Sequence, residues 1–203
     1  MKRWLVLGLL VCACGSGNNN NNNNNGGGSG PGSITGTVGG QPLAVKDAVF
    51  GFEGNAVLVL VGDQQNLCTL LGNTTLPGQL TALVLSLANF APPTTVNPHV
   101  TGDYAFFNLG GPGLPTTAGL YFYGVFDLVG TNCAATASHA GTGGTVTVTQ
   151  TGSTSGTHFK ANLTGLQFGT DTLNGSIEAT YCANLTSSTC GGALIARPST
   201  AAE

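Results

Sequence analysis

The chain has 203 residues, of which 41% are hydrophobic and only 6% are charged, and its formal net charge at pH 7 is −3. This hydrophobic content predicts a folded core, and the length suits one domain with flanking segments. Because the chain has no basic footprint, nucleic acid is excluded as a partner.

The first thirteen residues have the layout of a secretory signal. Lys2 and Arg3 precede an apolar run from Trp4 to Ala13. Ten helical residues cover about 15 Å of a hydrocarbon core that is roughly 30 Å thick. The sequence therefore predicts a signal peptide over 1–13 and no retained transmembrane helix.

The end of this run, Val-Cys-Ala-Cys at 11–14, resembles the bacterial lipobox. The resemblance implies that Cys14 becomes an acylated N-terminus that anchors the protein to a lipid membrane. Cys12 is the poorer candidate, because the large Val11 would then precede the cut. Gly15 replaces the Asp that commonly retains such proteins at the inner membrane, which favours the outer membrane, on its periplasmic or cell-surface side. The alternative is an ordinary secreted protein.

Residues 14–32 form a low-complexity segment with eight consecutive asparagines followed by a glycine-rich stretch. It lacks the apolar side chains whose burial would offset the entropy of ordering, so we expect a flexible tether. The eighteen residues 15–32 have a root-mean-square span of about 23 Å. That reach lets a single domain at 33–203 clear the lipid headgroups.

From Ser33 onward, strand-like segments alternate with glycine and proline. Their spacing predicts an antiparallel β-sandwich, or alternatively a barrel-like jelly roll, of about eight to ten strands with one short helix. The predicted strands are 33–38, 43–52, 56–61, 79–88, 103–109, 119–129, 145–150, 157–164 and 172–182, with 193–196 as a further candidate.

The short helix is predicted between the third and fourth of these strands. Asp63 can cap residues 64–71, three leucines share one face, and Gly72 suits a left-handed exit. This placement would bring Cys68 against the sheet.

Two strands near the C-terminus alternate polar and apolar residues and predict a hairpin. If Leu163 lies opposite Leu173, His158 falls opposite Glu178 and Lys160 lies diagonal to it. The sequence thus predicts a small cross-strand charge cluster.

Four cysteines remain after the two at the N-terminus: Cys68, Cys133, Cys182 and Cys190. An even number in an oxidising compartment predicts two disulfides, with three possible connectivities. The short loop between Cys182 and Cys190 favours that pair, which leaves Cys68 with Cys133. No CxxC or histidine spacing accompanies the thiols, so we expect no metal site and no cofactor.

Catalytic signatures are weak in this sequence. The segment 152–156 has threonine where a hydrolase elbow needs serine. Asp47 and Asp127 are the most interesting acids, because charged residues within apolar strands need a reason; an outward-facing strand position is the simpler one. The histidines, which are read as surface or turn residues, are His99, His139 and His158.

Aromatic residues provide the strongest candidate for a binding surface: Tyr104, Phe106, Tyr121 and Tyr123. Consecutive aromatics on a strand place some rings on each face, so one face could expose them, unless both faces are covered. The single tryptophan, Trp4, is lost with the signal peptide, which weakens the case for carbohydrate stacking.

Three segments of the domain resemble uncharacterised bacterial β-sandwich lipoproteins: Ser-Ile-Thr-Gly-Thr-Val-Gly-Gly at 33–40, Val-Lys-Asp-Ala-Val-Phe at 45–50, and Leu-Asn-Gly-Ser-Ile-Glu-Ala-Thr-Tyr-Cys at 173–182. The resemblance implies a fold and an address without an activity. We expect a membrane-anchored, non-enzymatic binding or structural module of the cell envelope, with an envelope protein as a possible partner. The alternatives are a carboxylate-dependent hydrolase and a small-ligand carrier with an apolar cavity.

Overall fold

A computed structural model describes residues 30–91, 94–96, 100–108, 115–154 and 156–187. The signal peptide, Cys14, most of the tether, His99, Cys190 and the candidate strand 193–196 lie outside these residues. Neither helix within the described ranges is long and apolar enough to cross a membrane.

The all-β prediction is confirmed for the described chain. Its two short helices are α1 (Leu67–Leu71) and α2 (Asn184–Ser187). The strands are β1 (Gly32–Val38), β2 (Gln41–Pro42), β3 (Asp47–Glu53), β4 (Ala56–Gly62), β5 (Leu80–Ala91), β6 (Thr94–Val96), β7 (Gly102–Phe106), β8 (Gly119–Val129), β9 (Ala135–Ala140), β10 (Gly143–Gln150), β11 (His158–Phe168) and β12 (Asp171–Tyr181).

Eight strands close a ring of hydrogen-bonded neighbours in the order β3-β4-β5-β8-β7-β10-β11-β12. The ring consists of two antiparallel runs, β3-β4-β5-β8 and β7-β10-β11-β12. The runs meet at two corners, where β12 pairs with β3 and β7 with β8 in parallel over two residue pairs each. Each corner strand also pairs with an extra strand next to the corner. Strand β1 pairs with β12 and strand β9 pairs with β8, both antiparallel.

The hairpin predicted near the C-terminus is formed by β11 and β12, but its predicted register is wrong. Leu163 lies opposite Gly175 instead of Leu173, because the chain turns at 169–170, where Phe168 pairs with Asp171, and a bulge interrupts β11 after Leu163. Gly165 adopts a left-handed φ of 58° in this bulge. Its N–H donates to Oδ1 of Asn174 at 2.7 Å. An inserted bulge residue shifts all later pairs, which the polar–apolar alternation alone does not reveal.

Apolar side chains fill the inside of the ring. They come from the inward positions of both runs, so residues of β3 pack against residues of β11 and β12 across the interior. Full burial of one such side chain contributes about 1.5–3 kcal/mol. The largest of these interior side chains, all less than 2% exposed, are Phe50, Tyr104, Phe122, Phe126 and Phe159.

A second apolar cluster covers the outer face of the run β3-β4-β5-β8. Both helices lie on this face, with Leu67 and Leu71 of α1 and Leu185 of α2 among the buried residues. Strands β4 and β5 are therefore apolar on both faces, which explains their nearly continuous runs of Val and Leu.

A disulfide between Cys68 and Cys182 holds α1 against the end of β12. The predicted pairs Cys182–Cys190 and Cys68–Cys133 are therefore both wrong. The physical reason is that β12 ends beside β3, where the N–H of Cys182 donates to the carbonyl of Phe50 at 2.8 Å, under the helix that carries Cys68. Cys133 is also disulfide-bonded, and its partner lies outside the described residues.

Helix α1 forms where a helix was predicted, but it is shorter and has different ends. The predicted cap, Asp63, directly follows β4 and accepts the N–H of Thr81 in β5 at 2.9 Å, so it does not reach the helix. Asn66 occupies the N-cap position in a left-handed conformation. Gly72 ends the helix with a right-handed φ of −71°, so the predicted left-handed exit is wrong.

Candidate functional site

The predicted aromatic surface is not assembled as a single exposed patch. Tyr104 is 1% exposed, and its ring lies inside the strand ring. Its hydroxyl donates to the carbonyl of Val100 at 2.9 Å, and burial raises its pKa above 10.0. Phe106 packs against the same interior cluster. Tyr123 is 8% exposed, so it too is a buried residue and offers little surface.

Tyr121 keeps appreciable exposure beside another ring. It is half-buried and makes an edge-to-face contact with Phe107, with 5.9 Å between the ring centroids. Its hydroxyl lies 2.7 Å from the hydroxyl of Thr117. Two half-buried rings in contact form a small patch, and the other candidate aromatic residues are mostly covered, which was the alternative that the sequence left open.

The two carboxylates singled out in the sequence lie far apart. Asp47 pairs with Gly62, Gly62 with Ala82, and Ala82 with Asp127, so the acids occupy the ends of one row across four strands. Three strand spacings place their Cα atoms about 14 Å apart. The side chain of Leu67 covers Gly62 between them. Paired acids that hydrolyse glycosides hold their carboxyl groups roughly 5–9.5 Å apart across an open site. Here Leu67 covers the strand between the two acids and Asp127 is only 1% exposed, so this pair is not arranged as such a site.

Asp47 has a structural role. Its Oδ2 accepts the N–H of Leu67 at the start of α1, and its Oδ1 accepts the N–H of Ala48, both at 2.8 Å. Burial raises the pKa of Asp47 above 3.8, and the backbone hydrogen bonds oppose that rise. These hydrogen bonds explain why a charged residue lies within an apolar strand: the carboxylate of Asp47 fixes the helix to the sheet.

The predicted charge cluster on the outer face of β11 and β12 is present. Lys160 lies opposite Glu178 and His158 lies opposite Thr180, so the two bases have exchanged the positions predicted for them. Glu178, whose side chain is 13% exposed, has the Nζ of Lys160 at 3.1 Å and the Nδ1 of His158 at 3.6 Å.

His139, the other histidine in the part of the chain that the structure describes, does not join this cluster. His139 faces the turn between β1 and β2, where a Cβ on Gly39 would stand 2.7 Å from its Nε2. The N–H of Gly39 donates to Oδ2 of Asp171 at 2.7 Å, so the turn is held from a second side. Among the residues that the structure describes, no three His, Cys, Asp or Glu side chains come together as a metal site.

A row of short polar side chains crosses five neighbouring strands, β7, β10, β11, β12 and β1. The row is formed by Asp103, Thr147, Asn162, Ser176 and Ser33, each paired with the next across the sheet. We call it the polar row. Four strand spacings give it a length of about 19 Å.

A shallow cleft of about 250 Å³ lies on this face of the molecule. It includes two members of the polar row, Asn162 and Ser176, together with the ion pair described above. Gly30 and Gly32, where the chain enters the domain, also line it. The remaining polar side chain at the cleft is Thr149 of β10.

A second and more open groove, which we call the α1 groove, lies beside the start of α1 and encloses about 690 Å³. Hydrogen bonds to backbone atoms of Thr81 and Gln79 fix the side chains of Asp63 and Gln64 at its wall. Its lining residues are Lys46, Asp63, Gln64, Gln65, Asn66, Thr69, Leu70 and Pro77.

The sequence pattern alone identifies neither of these surfaces. The alternation Thr-Val-Thr-Val-Thr at 145–149 shows that threonines of β10 face away from the core. The alternation does not reveal which strands lie side by side. Strand pairing joins segments as distant in the chain as 33 and 176.

Comparison of the chain with protein-family models, with curated proteins and with solved structures finds no match. A function for this protein therefore has to follow from its own residues and their arrangement.

Proposed function

We propose that this protein is an envelope lipoprotein, anchored in the outer membrane through acylated Cys14, whose β domain is a non-enzymatic binding or structural module. The lipobox-like segment at 11–14 supports the anchor. The tether would join the domain at β1, where the carbonyl of Pro31 accepts the N–H of Glu178 at 3.0 Å. The domain would thus present the polar face beside the point where the tether arrives.

The packed interior of the strand ring is the main observation that favours a binding module over the alternatives. A small-ligand carrier needs an apolar cavity, whereas large rings such as Phe50, Phe126 and Phe159 fill this interior. A hydrolase based on Asp47 and Asp127 is disfavoured by their Cα separation of about 14 Å and by the burial of Asp127, which is 1% exposed. What the domain offers to a partner is its outer surface, where polar side chains are regularly spaced.

We also propose that the domain is a flattened barrel, close to a β-sandwich with closed edges. Two antiparallel four-stranded runs face each other across one apolar interior. The corners between them consist of only two residue pairs each. This arrangement accounts for a sequence that has the strand spacing of a sandwich.

The anchor is tested by palmitate incorporation in cells that express the full chain. We expect label in the wild type and in Cys12→Ser, and none in Cys14→Ser. Absence of label in the wild type would contradict the anchor, and loss of label in Cys12→Ser alone would move it to the other cysteine.

The binding role is tested with the full chain purified in detergent and mixed with detergent-washed envelope material from the same bacterium. We expect the protein to sediment with this material, because its surface and not its acyl chains makes the contact. Protein that stays in the supernatant across a range of salt concentrations would contradict the proposal.

A further inference from the structure

Side chains in the middle of the polar row have hydrogen-bonding capacity to spare. In the part of the chain that the structure describes, the side chains of Asn162, Ser176 and Ser33 make no hydrogen bond to protein. Thr147 donates to Oδ1 of Asp103 at 2.7 Å, which still leaves the carboxylate further lone pairs. The row thus offers an amide, hydroxyls and a carboxylate at the regular spacing of neighbouring strands.

The face carries one positive and two negative groups, Lys160, Glu178 and Asp103, so its formal charge is only −1. Lys160 is paired with Glu178 at 3.1 Å, and Asp103 is the one charged member of the row. With no surplus of positive charge, a polyanion gains no electrostatic attraction here. A cationic polymer would have to compete with Lys160 for Glu178, which leaves it the single carboxylate of Asp103, already hydrogen-bonded to Thr147. The face is therefore suited to an uncharged ligand.

The composition of the row also disfavours a protein partner. The centres of protein–protein interfaces are rich in Tyr, Trp, Phe, Met and Arg, whose burial supplies most of the binding energy. The row consists of Ser, Thr, Asn and Asp only. Its recognition has to come from hydrogen bonds, with little gain from apolar burial.

We infer that the polar row and the adjoining cleft bind a neutral polysaccharide chain. Sugar hydroxyls donate and accept hydrogen bonds, as do the amide of Asn162 and the hydroxyl of Ser176. The length of about 19 Å suits an extended chain laid across the strands, and the cleft of 250 Å³ receives part of one sugar unit. This inference rests on the proposed function and names the ligand class of that binding module.

Tryptophan is absent from the chain after residue 4, so stacking on an indole does not contribute to the contact. Each net hydrogen bond contributes only about 0.5–1.5 kcal/mol, and a single oligosaccharide should therefore bind weakly. Many anchored copies on one long polysaccharide would hold it far more tightly through multivalency.

The test uses the full chain in detergent, titrated separately with three probes and followed by calorimetry and by backbone amide NMR. The N-acetylglucosamine tetramer represents wall-type N-acetylated chains, cellohexaose represents unsubstituted polysaccharides, and polygalacturonate is the anionic control. We expect at least one neutral probe to bind, with shifted resonances confined to β7, β10, β11, β12 and β1. The neutral probe that binds indicates the source of the natural chain.

Two variants assign the site. The double variant Asn162→Ala/Ser176→Ala should weaken binding about tenfold, as expected for two lost hydrogen bonds. Gln65→Ala, in the α1 groove, should leave binding unchanged and serves as the matched control. Thermal unfolding of each variant checks that the fold is retained.

The inference is wrong if neither neutral probe binds at millimolar concentration, or if polygalacturonate binds more tightly than both. It is also wrong if Gln65→Ala weakens binding while the double variant does not. Should the protein still sediment with envelope material in any of these cases, only the ligand class fails and the binding role stands. Failure of sedimentation as well would overturn both.

Discussion

The carboxylate of Asp47 accepts a hydrogen bond from the backbone N–H of Leu67 at 2.8 Å, twenty residues further along the chain. This bond fixes the first turn of α1 to the start of β3. Because α1 covers the second apolar cluster, a single polar contact positions much of the outer layer of the fold.

Replacement of Asp47 by Asn should destabilise the protein at pH 7. Asn has one carbonyl oxygen, so either Leu67 or Ala48 would face an amide group instead of an acceptor. An unsatisfied buried N–H costs about 1–3 kcal/mol. Urea unfolding of the wild type and Asp47→Asn measures this difference, and a change below the error of the extrapolation would contradict the anchoring role.

The difference between wild type and Asp47→Asn should also depend on pH. Burial raises the folded-state pKa of Asp47 above its ordinary value of 3.8, so the native state binds the proton more tightly than the unfolded chain does. The stabilisation from protonation is fully present below 3.8 and is lost as the pH rises through the raised pKa. The wild-type advantage should therefore shrink from acid to neutral pH, and a constant gap would contradict this assignment.

Local patterns and long-range contacts differ in how well the sequence reveals them. The alternation of Phe159, Ala161 and Leu163 predicts an inward face for β11, and that face is buried. The disulfide partner of Cys68 depends instead on β12 ending beside β3, a contact across about 130 residues that no local pattern encodes. The polar row has the same origin, since only the strand order brings Ser33 next to Ser176.

Removal of the disulfide between Cys68 and Cys182 should weaken the fold strongly. The bond closes a separation of 114 residues, and a loop of that length restricts the unfolded chain by about 4–5 kcal/mol in the chain-entropy treatment. The double variant Cys68→Ser/Cys182→Ser should lose a stability of this order in urea unfolding. Cys68→Ser alone should lose a similar amount, because either change breaks the same bond. A double variant within about 1 kcal/mol of wild type would contradict this prediction.

The ion pair on the outer face of β11 and β12 should contribute little to stability. Lys160 and His158 are 39% and 40% exposed, so solvent screens their attraction to Glu178. Glu178→Gln should lower the free energy of unfolding by no more than about 1 kcal/mol, and added salt should reduce the difference. A loss of several kcal/mol that persists in high salt would show that Glu178 acts through burial and not through this pair.

Two glycines on the neighbouring strands β11 and β12 should respond very differently to Ala. Gly165 lies in the bulge with φ 58° and open space around it, so Gly165→Ala incurs only the left-handed strain, about 1 kcal/mol. Gly175 has φ 147°, and a Cβ there would overlap the carbonyl oxygen of Ser33 in β1.

Gly175→Ala should therefore force β1 away from β12, with a loss of roughly 3 kcal/mol or more from strain and overpacking together. Amide hydrogen exchange should show faster exchange in β1 for Gly175→Ala and not for Gly165→Ala. Equal protection of β1 in both variants would contradict the close approach of the two strands. Because Ser33 is the end of the polar row, Gly175→Ala should also shorten the surface that we infer binds polysaccharide, and weaken binding of the neutral probe.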